Sequence, residues 1–111
     1  MPSDRHRARL SDILHNIVRA RLFIGEMTFE QFAADEKTIY ATVRALEIIS
    51  EGSRHLPDDL KARHSSVDWV AVRDAGNVYR HAYESVTERR IWDTVILSLS
   101  DLEAAVRKEL A

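Results

Sequence analysis

Between residues 69 and 83 the chain reads WVAVRDAGNVYRHAY. Arg73, Asn77, Arg80 and His81 bring two guanidiniums, a carboxamide and an imidazole into one short segment. An imidazole titrates near neutral pH and can move a proton in either direction. A guanidinium beside a phosphate stabilises the charge that builds on its oxygens during substitution at phosphorus. Together these groups suit RNA cleavage without a metal, in which a 2′-hydroxyl attacks the adjacent phosphate. That reaction needs one proton removed from the hydroxyl and one delivered to the departing oxygen. One imidazole serves one transfer at a time, and a symmetric dimer would supply a second copy. The same residue types also fit a solvated helix face, with Asn77 bonded only to backbone.

Helical spacing decides which of these groups can cooperate. At about 100° per residue, with Arg73 at zero, Asn77 falls near +40°, Arg80 near −20° and His81 near +80°, an arc of roughly 100°. The rise separates Arg73 from His81 by about 12 Å along the axis. A working site therefore centres on Asn77, Arg80 and His81, and Arg73 would reach a flanking phosphate or a second subunit. Gly76 costs a helix about 1 kcal/mol relative to Ala, and its lack of a side chain would let a backbone or ligand come close. Tyr83 would point nearly opposite His81 in a continuing helix, so a shared site requires an end or bend between them. As an amphipathic aromatic at a helix end, Tyr83 also fits simple packing on its ring.

The elements that must carry this segment are helical. The chain has 111 residues, 45% hydrophobic and 31% charged, with three Gly and two Pro, which fits one folded domain over residues 1–111. Leu10, Ile13, Leu14, Ile17 and Ile24 mark the buried face of a first helix from about Asp4 to Gly25, with Ser3 or Asp4 as N-cap. Thr28 and Gln31 have capping-box spacing, and Phe29 and Phe32 can anchor the turn that follows. A second long helix is expected from about Glu36 to Arg54, on the stripe Ile39, Val43, Leu46 and Ile49. After the loop around Pro57 and Ser65–Ser66, with a short helical turn in DDLKAR, Asp68 can cap a third long helix from Trp69 to about His81. A kink or stop is expected at 82–86. The last helix should start near Thr87 and bury Ile91, Val95, Leu99, Leu102 and Val106. No segment alternates with period two. The expected fold is all-α: an antiparallel up-and-down bundle of four main helices plus short helical turns.

Composition excludes several chemistries. With no Cys, disulfides and zinc–thiolate sites are out. His6, His15, His55 and His64 lack metal-site spacing and suit solvent-facing or capping roles. No Gly-rich phosphate loop is present, and no cofactor is expected. Trp69 and Trp92 read as core or interface anchors. The N-terminus lacks the apolar run of a secretory signal and no segment is long enough to span a membrane, so a cytoplasmic location is expected. Net charge is −2, but residues 1–21 carry +3, residues 22–72 carry −4 and residues 73–90 carry +1. A phosphate-binding surface should therefore involve the first helix or the 73–90 region.

The segment VDWVAVRDAGNVYRHAY, with FAADEKTIYATVRALEIISEGSRHLPDDL before it and RRIWDTV after it, resembles HepT-like proteins of the HEPN superfamily. The resemblance covers nearly the whole chain. It implies a helical bundle that dimerises with the motif in the shared cleft, acting as a ribonuclease toxin on RNA. It also implies a small nucleotidyltransferase antitoxin that can attach AMP to the motif tyrosine. By position His81 is the catalytic histidine and Tyr83 the tyrosine of His-x-Tyr. Asn77 matches the polar residue that follows the motif arginine, and Glu51 an acidic residue on the second long helix. The sequence departs from the family at Gly76, where an arginine is common; Arg80 is the guanidinium next to His81. The alternative reading is a catalytically weak or inactive interaction protein that binds the nucleotidyltransferase.

Overall fold

The computed structural model describes residues 3–81 and 85–111, with the backbone alone over 76–81 and 85–87. The described residues form helices α1 (Asp4–Ile24), α2 (Phe29–Ala33), α3 (Glu36–Arg54), α4 (Asp58–Ala62), α5 (Trp69–His81), α6 (Ser85–Asp93) and α7 (Leu99–Leu110), and a π-helical turn (Thr94–Ser98) joins the last two. No strand occurs among them. The fold is all-α, as the sequence implies.

Local chemistry sets most boundaries. The Ser3 hydroxyl accepts the His6 amide at 3.2 Å to start α1, and Gly25, at φ 52°, ends it in a conformation that side-chain-bearing residues rarely adopt. Thr28 and Gln31 form a reciprocal capping box at the start of α2. Asp35 Oδ1 accepts the Thr38 amide at 3.1 Å to cap α3, and that bond holds the Asp35 carboxyl below its ordinary range. Asp68 Oδ1 accepts the Ala71 amide at 3.1 Å at the start of α5. The expected break at 82–86 falls partly outside the described residues. The last helix begins at Ser85 rather than at Thr87.

Buried side chains from α1, α3, α6 and α7 make one core. Leu10, Ile13, Ile17, Leu46, Ile91 and Leu102 are each at most 3% exposed. α1 packs between α3 and α7, and α5 packs on the far side of α3. Arg7 Nη2 donates to the Leu110 carbonyl at 3.1 Å, and Arg21 pairs with Glu103, so α1 and α7 run antiparallel. Arg21 first, and then Arg107, hold the Glu103 carboxyl below its ordinary range. The two tryptophans are anchors. Trp92 meets Phe29 edge-on at 5.9 Å and Phe32 at 5.6 Å between ring centres. Trp69 packs against the core and sends its indole N–H to the Lys61 and His64 carbonyls, each at 3.1 Å.

Candidate active site

α5 carries the segment with the chemistry, and α3 is its support. Val72 and Ala75 of α5 pack against the core. Ser50, buried on α3, donates its hydroxyl to the Arg73 carbonyl at 2.7 Å. This bond joins the two helices in the middle of α5 and satisfies a polar side chain within an apolar stripe. Asp68 starts the helix and the backbone stays helical through His81, so Arg73, Asn77, Arg80 and His81 occupy helical positions spanning an arc of roughly 100°.

The side chains of Asn77, Arg80 and His81 lie outside the described residues, as does all of Tyr83. Arg73 is described. Its side chain is 51% exposed and its Nε donates to Asp74 Oδ1 at 3.0 Å, an exposed pair of small energetic weight. Glu51 lines a groove of about 320 Å³ between α1 and α3, with Arg9, Asp12, Arg44, Glu47 and His55 around it. Its Oε1 lies 3.1 Å from His55 Nε2, and its Oε2 lies 4.0 Å from Arg54 Nε. Glu51 thus belongs to a mixed-charge surface network in which acids and bases nearly balance.

The flank of α5 away from α1 borders a larger cleft, of about 620 Å³. Leu46 and Ile49 of α3, Val72 and Ala75 of α5, Leu97 in the π turn and Leu102 of α7 form its apolar floor. Asp68, Asp74, Asp101 and Arg90 stand among its lining residues. Leu97 is 72% exposed, and Ile96 and Val70 are about half exposed. Of these three, Leu97 lines the cleft. Val95, within the π turn, and Leu99, just after it, are buried, and Ile96 and Leu97 between them face outward.

Two features of this region escape sequence reading. Ser50 sits at apolar spacing with Leu46, Ile49 and Ser53, and only that spacing hints at a buried role. His64, expected at the surface or as a cap, is 10% exposed and its Nε2 lies 2.6 Å from Glu109 Oε2. The partner is 45 positions away, so no local signal reports it.

Residues 13–109 match the family model described as "Ribonuclease HepT-like". Similar curated proteins include "Probable ribonuclease HepT" of Thermococcus cleftensis, 36% identical over 103 residues that cover 93% of this chain and 94% of that one. A candidate RNase of Methanocaldococcus jannaschii is 36% identical over 96 residues, covering 86% and 79%. A candidate RNase of Caldanaerobacter subterraneus subsp. tengcongensis is 34% identical over 84 residues, covering 76% and 75%. No solved structure matches.

Proposed function

This chain belongs to the HepT-like family of ribonucleases, and from that premise we propose that it is a dimeric, metal-independent endoribonuclease, the toxin of a toxin–antitoxin pair. The observation that carries the reading is the family match over residues 13–109, which includes the whole of α5 with its adjacent Arg80 and His81. In this reading His81 takes the proton from a 2′-hydroxyl as the oxygen attacks phosphorus. The bond to the 5′-oxygen breaks, and that oxygen takes a proton from the second imidazole of the dimer. Arg80 stabilises the charge on the non-bridging oxygens, Asn77 orients His81 or the phosphate, and Arg73 and Glu51 support the RNA-binding surface.

The cleft beside α5 supports dimerisation more than RNA binding along its length. Its apolar floor gains nothing from a phosphate chain, and Asp68, Asp74 and Asp101 would repel one. A second copy would bury Leu97 there and bring two α5 helices together.

Tyr83 is the acceptor for the partner's control. Its phenol would give up its proton as the oxygen attacks the α-phosphorus of ATP, and the bond to the departing pyrophosphate would break. The resulting phosphodiester and adenosine would occupy the space around Arg80 and His81. A second reading rests on Gly76, which stands where HepT-like proteins commonly have an arginine. There the chain keeps its nucleotidyltransferase partner and has lost cleavage.

The deciding assay is RNA cleavage in EDTA by the purified protein beside His81→Ala. Loss of cleavage in the variant is expected. Equal cleavage by both removes the nuclease reading and leaves the interaction reading. Intact mass after incubation with a co-encoded nucleotidyltransferase and ATP should rise by one adenylyl group. A gain that survives Tyr83→Phe would exclude Tyr83 as acceptor.

A further inference from the structure

Glu109 lies in the last turn of α7, yet its carboxylate serves the connection that leads into α5. Oε1 accepts from Arg63 Nη2 at 2.9 Å, and Oε2 accepts from Arg63 Nε at 3.3 Å and from His64 Nε2 at 2.6 Å. The Glu109 and His64 side chains are each only 10% exposed. An ionised carboxylate can only accept, so the imidazole carries its proton on Nε2. Arg63 and His64 directly follow α4, and the His64 and Lys61 carbonyls take the indole N–H of Trp69, the first residue of α5. A continuous path therefore runs from α7 through Glu109, His64 and Trp69 to the start of α5.

That path matters because it adds to the packing of Trp69, Val72 and Ala75 at this end of α5. The helix is supported laterally by α3, with the Ser50 hydroxyl on the Arg73 carbonyl, and its other flank borders the open cleft. Its axial setting at the N-terminal end falls to the 61–68 connection. A helix moves as a rod over this length, so a shift at Trp69 is carried to every group further along α5.

We propose that Glu109 is a positioning residue: by gripping Arg63 and His64 it fixes the connection that holds Trp69, and so sets where α5 presents Arg73, Asn77, Arg80 and His81. The effect on catalysis rests on the nuclease reading above; the effect on α5 does not. Displacements on the order of 1 Å at a catalytic group lower turnover by up to about a hundredfold.

The test compares wild type, Glu109→Gln, Glu109→Ala and the control Glu103→Gln, all ¹⁵N-labelled. Glu103 is a second paired acid of α7, but its partners are Arg21 and Arg107 rather than the 61–68 connection. Both Glu109 variants should shift the Trp69 indole resonance and speed amide exchange over residues 69–75 by about tenfold relative to wild type. Residues 42–53 of α3 should keep their protection. On RNA, kcat should fall about tenfold or more with KM changed less than twofold. Glu103→Gln should leave the Trp69 signal and kcat in place. An unmoved Trp69 resonance with unchanged exchange in both Glu109 variants would overturn the proposal. The same changes in Glu103→Gln, or a shifted α5 with unaltered kcat in a protein that cleaves RNA, would do so too. If wild type does not cleave RNA, the nuclease reading falls alone, and the resonance and exchange data still decide the positioning role.

Discussion

Gly52→Ala probes a close approach between α1 and α3. A Cβ at Gly52 would stand 2.9 Å from Ile13 Cγ1, 3.3 Å from Ile13 Cδ1 and 3.9 Å from the Arg9 carbonyl oxygen. Ile13 is fully buried, and Cγ1 sits near its backbone, so it cannot swing clear. Two effects oppose each other. Alanine is favoured over glycine by about 1 kcal/mol in a helix interior, and by somewhat less in the last turn of α3, where Gly52 lies. Forcing a methyl into a packed contact costs about 1–3 kcal/mol. The net expectation is a loss of about 1 kcal/mol, or about 4 °C in Tm for a domain of this size. Ile13→Ala removes the obstruction, at its own cost of about 2–5 kcal/mol. In that background Gly52→Ala should become stabilising by up to about 1 kcal/mol, because only the helix preference remains. Urea unfolding of the four proteins in the cycle gives the coupling, expected at about 1–3 kcal/mol. A gain of about 1 kcal/mol from Gly52→Ala in the wild-type background, or additivity within about 0.5 kcal/mol, would refute the close α1–α3 contact.

Three further outcomes follow from described contacts. Thr28→Ala removes the hydroxyl that caps α2 and should cost about 1 kcal/mol, seen as a lower urea midpoint with an unchanged slope. The Glu109 carboxyl is held down at about 2, by Arg63 first and His64 next, against the burial that pushes it up. A depressed carboxylate stabilises the fold above its ordinary pKa and loses that contribution on protonation. The Tm gap between wild type and Glu109→Gln should therefore shrink as pH falls from about 4.5 to about 2, and a gap that persists at the acid end would contradict it. Leu97→Glu should abolish self-association in sedimentation experiments while leaving the monomer's unfolding nearly unchanged, since the side chain is 72% exposed.

Much of the fold was readable because its instructions are local. The stripe Leu10, Ile13, Ile17 and Ile24 follows from helical period alone, and all four are buried. Ser3, Thr28, Asp35 and Asp68 each cap through an amide no more than three residues away. The π turn left no trace: Ile91, Val95 and Leu99 recur in two steps of four that drift by only about 80° around an ideal α-helix, within one buried face, so the stripe reads the same with or without the turn. The pairings of His64 with Glu109, Arg21 with Glu103 and Ser50 with the Arg73 carbonyl join residues far apart in sequence, and no local rule selects them. At the candidate site, the common arc of Arg73, Asn77, Arg80 and His81 follows from helical backbone, which α5 supplies through His81. The chemistry of that arc also depends on what faces it, and sequence spacing on one helix does not encode a facing surface.

The placement of α5 gives the proposed dimer its physical logic. α1 packs with α3 and α7, and α3 packs with α5, but between α5 and the α7 side the ring of helices stays open as a cleft. A self-sufficient bundle would close that side with its own aliphatic side chains. Here Leu97 of the π turn lines the cleft and is 72% exposed, apolar surface that a monomer leaves in water. A second copy would cover it. It would also seat α5 at a boundary between subunits, through the side of the helix that carries Ala71, Val72 and Ala75. The acidic residues lining the cleft then steer RNA away from the dimer seam and toward the motif end of α5. On this argument Leu97→Glu and His81→Ala should both abolish cleavage, but only the first should also separate the subunits.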